Sequence, residues 1–167
     1  MVETREWVER VVVGLDLCPF AAKPLEEARV RFRATDARTP ERLASDLAEE
    51  LSRLDREPPT ALETTLLIHP HVLPDFEAFN HFLDVVDVLL EQLALVGEIQ
   101  VVGFHPDYRF AGAPADDPAN ATNRSPHPML HLLREESVSA AIRAHPDPGG
   151  IPARNAEKLR LRARQRA

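Results

Sequence analysis

Apolar residues recur at helical spacing from the start of the chain. Trp7, Val8, Val11, Val12 and Leu15 predict a helix from Glu3 to Asp16 with one apolar face. Pro19 biases Cys18 away from helical backbone and ends this helix near the thiol. Ala28 to Arg33 alternates apolar and basic residues, the period of a half-exposed strand at a sheet edge. Thr39 before Pro40 is a helix N-cap followed by proline at the first helical position. Leu43, Leu47, Leu51 and Leu54 give that helix its apolar stripe, and Pro58-Pro59 ends the segment. Thr64 to Ile68 is a short unbroken apolar run, the signature of a strand covered on both faces.

The longest predicted helix runs from Pro74 to about Val96, burying Phe76, Phe79, Phe82, Leu83, Val86, Leu90 and Leu93, with Gly97 just past its end. Ile99 to Phe104 is a third strand, and a long polar, proline-containing loop follows it. Ser125, Pro126 and Pro128 mark the start of a helix whose apolar positions are Met129, Leu130, Leu132, Leu133 and Val138. A turn at His145 to Gly150 and an arginine-rich helix from Pro152 close the chain. Alternating strands and helices predict one α/β or α+β domain over residues 1–167. Its sheet is small, three-stranded and mainly parallel or mixed, packed with helices, with further helices at both ends.

Composition narrows the function. With 44% hydrophobic and 28% charged residues, the chain has the make-up of a globular protein. No apolar run approaches the roughly 20 residues that cross a bilayer, and the first residues lack the core of a secretory signal, so a cytoplasmic location away from membranes is expected. A net charge of −7 argues against a nucleic-acid partner. The basic run from Lys158 to Arg166 reads first as a helix with cations near its C-terminus. The single cysteine excludes an internal disulfide and leaves a homo-oligomeric cross-link open.

Candidate chemistry gathers in the loop after the third strand. A loop this long inside a compact domain is expected to be functional, and parallel strands place ligands beyond their carboxyl ends. Three constellations compete there. His105 and His131, completed by Asp107, His127 or Glu135, offer ligands to a divalent metal such as zinc. This assumes a helix that carries His127, His131, Arg134 and Glu135 on one face. Asn120, Asn123, Arg124 and Ser125 before a helix N-terminus, with Arg109 and Arg134, form an anion pocket; the bland alternative is capping and loop pinning. Cys18 as nucleophile, His105 as base and Asp107 or Asn123 as orienting group form the third, with Tyr108 as proton donor, stacking surface or packing residue.

Motifs along nearly the whole chain resemble the bacterial family DUF1415. They are Leu17-Cys18-Pro19-Phe20-Ala21, Glu63 to Leu67, Asp75-Phe76 through Asn80 to Asp84, Phe104 to Tyr108 with Phe110-Ala111-Gly112, Asn120, Thr122 to Pro126, and Leu130 to Glu135. The resemblance implies no assigned reaction. The family pattern carries tyrosine where this chain has His127, which shifts weight among candidate ligands to His105 and His131, and it includes Cys18 with its proline. Two readings of function lead: a small-molecule enzyme acting by thiol or metal chemistry on an anionic substrate, and a non-catalytic binding module for an anionic metabolite or nucleotide. A dimeric interaction protein is the third. For a polar residue at a strand end, replacing His105 by alanine is expected to leave the fold intact.

Overall fold

The computed structural model describes residues 1–165; Arg166, the last residue of the basic run, lies outside them. Six α-helices and four strands are present among the described residues: α1 Val2–Trp7, α2 Ala22–Glu26, β1 Val30–Ala34, α3 Pro40–Arg56, β2 Thr64–Ile68, α4 Phe76–Gln92, β3 Ile99–Phe104, β4 Met129–Arg134, α5 Glu135–Ala144 and α6 Ile151–Arg164. The first helix continues from α1 into a π-helical stretch, Val8–Val13.

The strands form one sheet in the order β1-β2-β4-β3. β1 and β2 are parallel, while β4 runs antiparallel to both β2 and β3. The three predicted strands therefore point the same way, and an unpredicted fourth lies between the second and third. Both crossovers, through α3 and α4, progress in the same direction across the sheet, so a single handedness puts both helices on one face.

That face is the main core. Leu43, Leu47, Leu51 and Leu54 of α3 and Phe79, Phe82, Val86 and Leu90 of α4 pack on Leu67, Leu130, Leu132 and Ile99. The other face, built on Leu66, Ile68 and Met129, is covered by Val8, with Trp7, Val12 and Leu25 packed around it. Two covered faces explain β2, whose five residues are all buried. The α3 start is as the sequence predicts, with Thr39 Oγ1 accepting the Arg42 amide at 3.3 Å. Helix α4 stops at Gln92, short of the expected end near Val96; Ala94 follows it at φ 56°, and Gly97, beyond the helix, also has positive φ at 83°.

The substantive correction lies at Met129–Arg134, a strand where a helix was expected. Neither face of β4 is exposed, each being buried or half-buried, so its apolar residues run without a two-residue period. It passes directly into α5 at Glu135, and the two apolar segments read together as one helix.

Candidate functional site

The carboxyl ends of β2 and β3 meet at one sheet edge, and both continue into a His-Pro pair: His69-Pro70 and His105-Pro106. The two imidazoles flank the ring of Phe79, His69 stacked at 5.7 Å between centroids and His105 tilted at 5.3 Å. Gly103 makes this approach feasible, because a Cβ there would lie 2.9 Å from the Phe79 ring.

Both histidines are committed to the main chain. His69 Nδ1–H donates to the Val72 carbonyl at 3.0 Å, and burial holds its pKa down to about 4. His105 Nδ1 accepts the Asp107 amide at 3.0 Å; the ring proton is therefore on Nε2, which donates to the Leu73 carbonyl at 3.3 Å. His105 is 1% exposed, and its amide donates to the Asn123 carbonyl at 3.2 Å. The sequence placed a polar side chain at a strand end; the fold buries it between α4 and the two loops.

The loop after β3 is knitted by the residues nominated for anion binding. Asn120, fully buried, accepts the Phe110 amide and donates to the carbonyls of Pro114 and Ala115. Arg124 donates to the carbonyls of Tyr108 and Ala115, Asn123 to that of Gly103, and Ser125 to that of His127. Tyr108 packs against Phe76 and Phe110, and partial burial raises its pKa. Asp107 and Arg109 are exposed, and Arg109 comes within 4.0 Å of Glu77.

Because β4 is a strand, the expected helical face of His127, His131, Arg134 and Glu135 does not form. Alternation directs His131 to the face of Leu66 and Phe104, and Arg134 to the opposite face. His131 Nε2–H donates to Thr64 Oγ1 at 2.8 Å, since that hydroxyl itself donates to the Leu132 carbonyl. Burial lowers the His131 pKa to about 4. Arg134 donates to the carbonyls of Leu54, Glu57 and Leu62, closing the C-terminal end of α3. His127 Nε2 lies 2.8 Å from Glu3 Oε2. His105 packs against α4 on the main-core side, so the proposed pair of His105 and His131 is divided by the sheet. Among the described residues no three His, Cys, Asp or Glu side chains are grouped to hold a metal.

Cys18 sits in the turn between the first helix and α2, under α6. Asn155 donates to the Leu17 carbonyl at 2.6 Å, and Lys158 donates to those of Leu15 and Asp16. Burial raises the thiol pKa, and Asp16 adds to this; amides of Phe20 and Ala21 act the other way. None of the hydrogen-bond or ring partners of His105 comes from the cysteine turn.

Two open surface depressions lie along β1. One, of about 400 Å³, is lined by the consecutive residues Ala28 to Phe32 with Arg53, Glu57, Ala61 and Leu62. A second, of about 380 Å³, is lined by Glu27, Arg29, Pro59 and Thr60 and shares Arg29 with the first. Arg29 pairs with Glu27 and Glu63, and Arg31 with Glu50. Arg33 is 45% exposed and 3.8 Å from Glu50. Arg5 stands over the Phe32 ring at 4.3 Å; neither it nor Arg53 forms an ion pair among the described residues. These arginines were not nominated from the sequence, although the alternation that reveals them was.

No helix among the described residues is long and apolar enough to cross a membrane. A family model described as "Protein of unknown function (DUF1415)" matches residues 1–167. No curated protein and no solved structure matches the chain.

Proposed function

We infer that this chain, which belongs to the DUF1415 family, is a binding module for an anionic partner, and that the arginine-lined edge of β1 receives it. The observation that carries this reading is the open depression lined by Ala28 to Phe32, Arg53 and Glu57, with the exposed Arg33 next along the strand. Forked guanidinium donors suit carboxylate and phosphate oxygens, and weak hydration lets them exchange one oxyanion for another. The residues first nominated for chemistry support the reading from the other side. Asn120, Arg124 and Arg134 direct their donors at main-chain carbonyls, which leaves little for a ligand.

A second reading, thiol chemistry at Cys18, has one specific support in the two amides of Phe20 and Ala21 that favour the thiolate. Burial opposes them and is the larger influence.

Titration with sodium tripolyphosphate at constant ionic strength, balanced with sodium chloride, tests the anion reading. Binding at about 10 mM should raise the melting temperature by a few degrees. The rise should vanish in the double variant Arg33→Gln, Arg53→Gln. An unmoved midpoint, or an equal rise in the double variant, removes the β1 edge from consideration.

A further inference from the structure

β1 is the outer strand of the sheet, with β2 on one side only. The Thr35 amide donates to the Ile68 carbonyl, and the Arg29 carbonyl accepts from the Glu63 amide. Main-chain groups alternate sides along a strand, so the odd-numbered residues face β2 and Val30, Phe32 and Ala34 turn theirs outward. Among the described residues the amides of Val30, Phe32 and Ala34 have no acceptor, although the outward Ala34 carbonyl accepts from the Arg33 guanidinium at 2.6 Å; such an edge is a template for another strand. Val30, Arg31 and Phe32 of this strand also line the open depression that Arg53 borders.

Side chains define what would fit. Arg31 and Arg33 project to the α3 face, and Arg53 lines the same depression as Arg31. Val30 and Phe32 project to the other face, where they pack on the second core. An added strand therefore meets guanidinium groups on one face and apolar groups on the other. A second copy of β1 is a poor occupant, because antiparallel pairing about Phe32 sets Arg31 opposite Arg33, and like charges across a ladder are destabilising.

We propose that β1 receives an extended acidic segment of another protein as an added edge strand, its carboxylates alternating with apolar residues. This rests on the anion reading above and specifies its partner. Main-chain hydrogen bonds supply affinity that is indifferent to sequence, and alternate side chains supply the selectivity. The carboxylates take Arg33 and Arg53, whose guanidinium groups are the least engaged by the protein's own acids.

The test uses an end-blocked peptide of alternating Glu and Val, with a Lys-Val counterpart, added to ¹⁵N-labelled protein. The amides of Val30, Phe32 and Ala34 should shift and gain protection from hydrogen exchange, and the Lys-Val peptide should bind about tenfold or more weakly. Ala34→Pro removes one outward donor and keeps the bonds to β2, because proline is tolerated on an edge strand. It should weaken the Glu-Val peptide with an unchanged melting temperature in its absence. Equal binding of both peptides, or full binding to Ala34→Pro, overturns the proposal. Tripolyphosphate binding without peptide binding overturns the added strand and leaves the anion reading standing; loss of both overturns both. Sedimentation showing a dimer of the free protein that Ala34→Pro dissolves makes a second copy the occupant and also overturns it.

Discussion

His105 donates from Nε2 to the main-chain oxygen of Leu73, a non-glycine residue held at φ 56°. This bond joins the loop after β3 to the turn between β2 and α4, and it belongs to a side chain that is 1% exposed. The expectation that His105→Ala would leave the fold intact is replaced by its opposite. Truncation removes the acceptor of the Asp107 amide, the donor to Leu73 and the contacts with Phe76 and Phe79. We expect a loss of about 2–4 kcal/mol in urea unfolding. A loss below about 1 kcal/mol would show that the ring is not needed for packing.

Arg134→Ala should be nearly as severe. It leaves the carbonyls of Leu54, Glu57 and Leu62 without their donor at the end of α3, a cost of about 1–3 kcal/mol for the groups that remain buried. Arg134→Lys should recover only part, because a compact ammonium lacks the planar fork. Urea midpoints of the two variants check the ranking, and equal midpoints would contradict it.

Gly103→Ala places a methyl group against the Phe79 ring, at 2.9 Å from the unrelaxed position. Overpacking of this kind costs about 1–3 kcal/mol. Thermal unfolding reads it directly, and the companion Phe79→Leu should relieve part of the strain. A wild-type melting temperature for Gly103→Ala would show that the ring moves aside freely.

Stability should fall as the solution becomes acidic through the range of histidine. His69 and His131 titrate at about 4 in the fold, against about 6.5 in an unfolded chain. The unfolded state therefore takes up protons below about pH 6.5 that the native state refuses until about pH 4. The contribution is full above the higher value and declines between the two. His131→Gln, whose amide can still donate to Thr64, should flatten the decline by up to about one proton. Urea unfolding at pH 7.5, 6 and 5 measures the slope, and the same slope in that variant would refute the assignment to His131.

Cys18 should react slowly. Its thiol pKa is raised by burial, so the thiolate fraction near neutral pH falls below that of a free cysteine. Alkylation by iodoacetamide at pH 7 should be slower than that of glutathione. A faster rate would reverse the order of the two functional readings and favour thiol chemistry.

Much of the helical scaffold was legible because its signals are local. Thr39-Pro40 and the leucines of α3 lie within a few turns of one another, and their spacing reports a buried stripe whatever packs against it. The strands β1, β2 and β3 were legible for the same reason. Met129–Arg134 was not, since a strand buried on both faces loses its alternation and β4 has no turn before α5. The expected helical face of His127, His131, Arg134 and Glu135 was lost at the same point: once β4 is a strand, His131 and Arg134 separate to opposite faces. Arg29, Arg31 and Arg33 show the converse, a visible alternation whose adjoining depression depends on where α3 ends.

The sequence by itself determined the family, through motifs along the whole chain, and the mixed α/β class, the first three strands, the Thr39 cap and the apolar stripes of α3 and α4, because these last follow from neighbours within a few residues. Only the tertiary structure decided that β4 enters between β2 and β3, that His69 and His105 close on Phe79, and that Arg134 binds three carbonyls contributed by the end of α3 and the segment after it. Those relations join residues far apart along the chain. Their donors and acceptors are assigned by which main-chain groups the packed fold leaves unpaired, a quantity that no local pattern records.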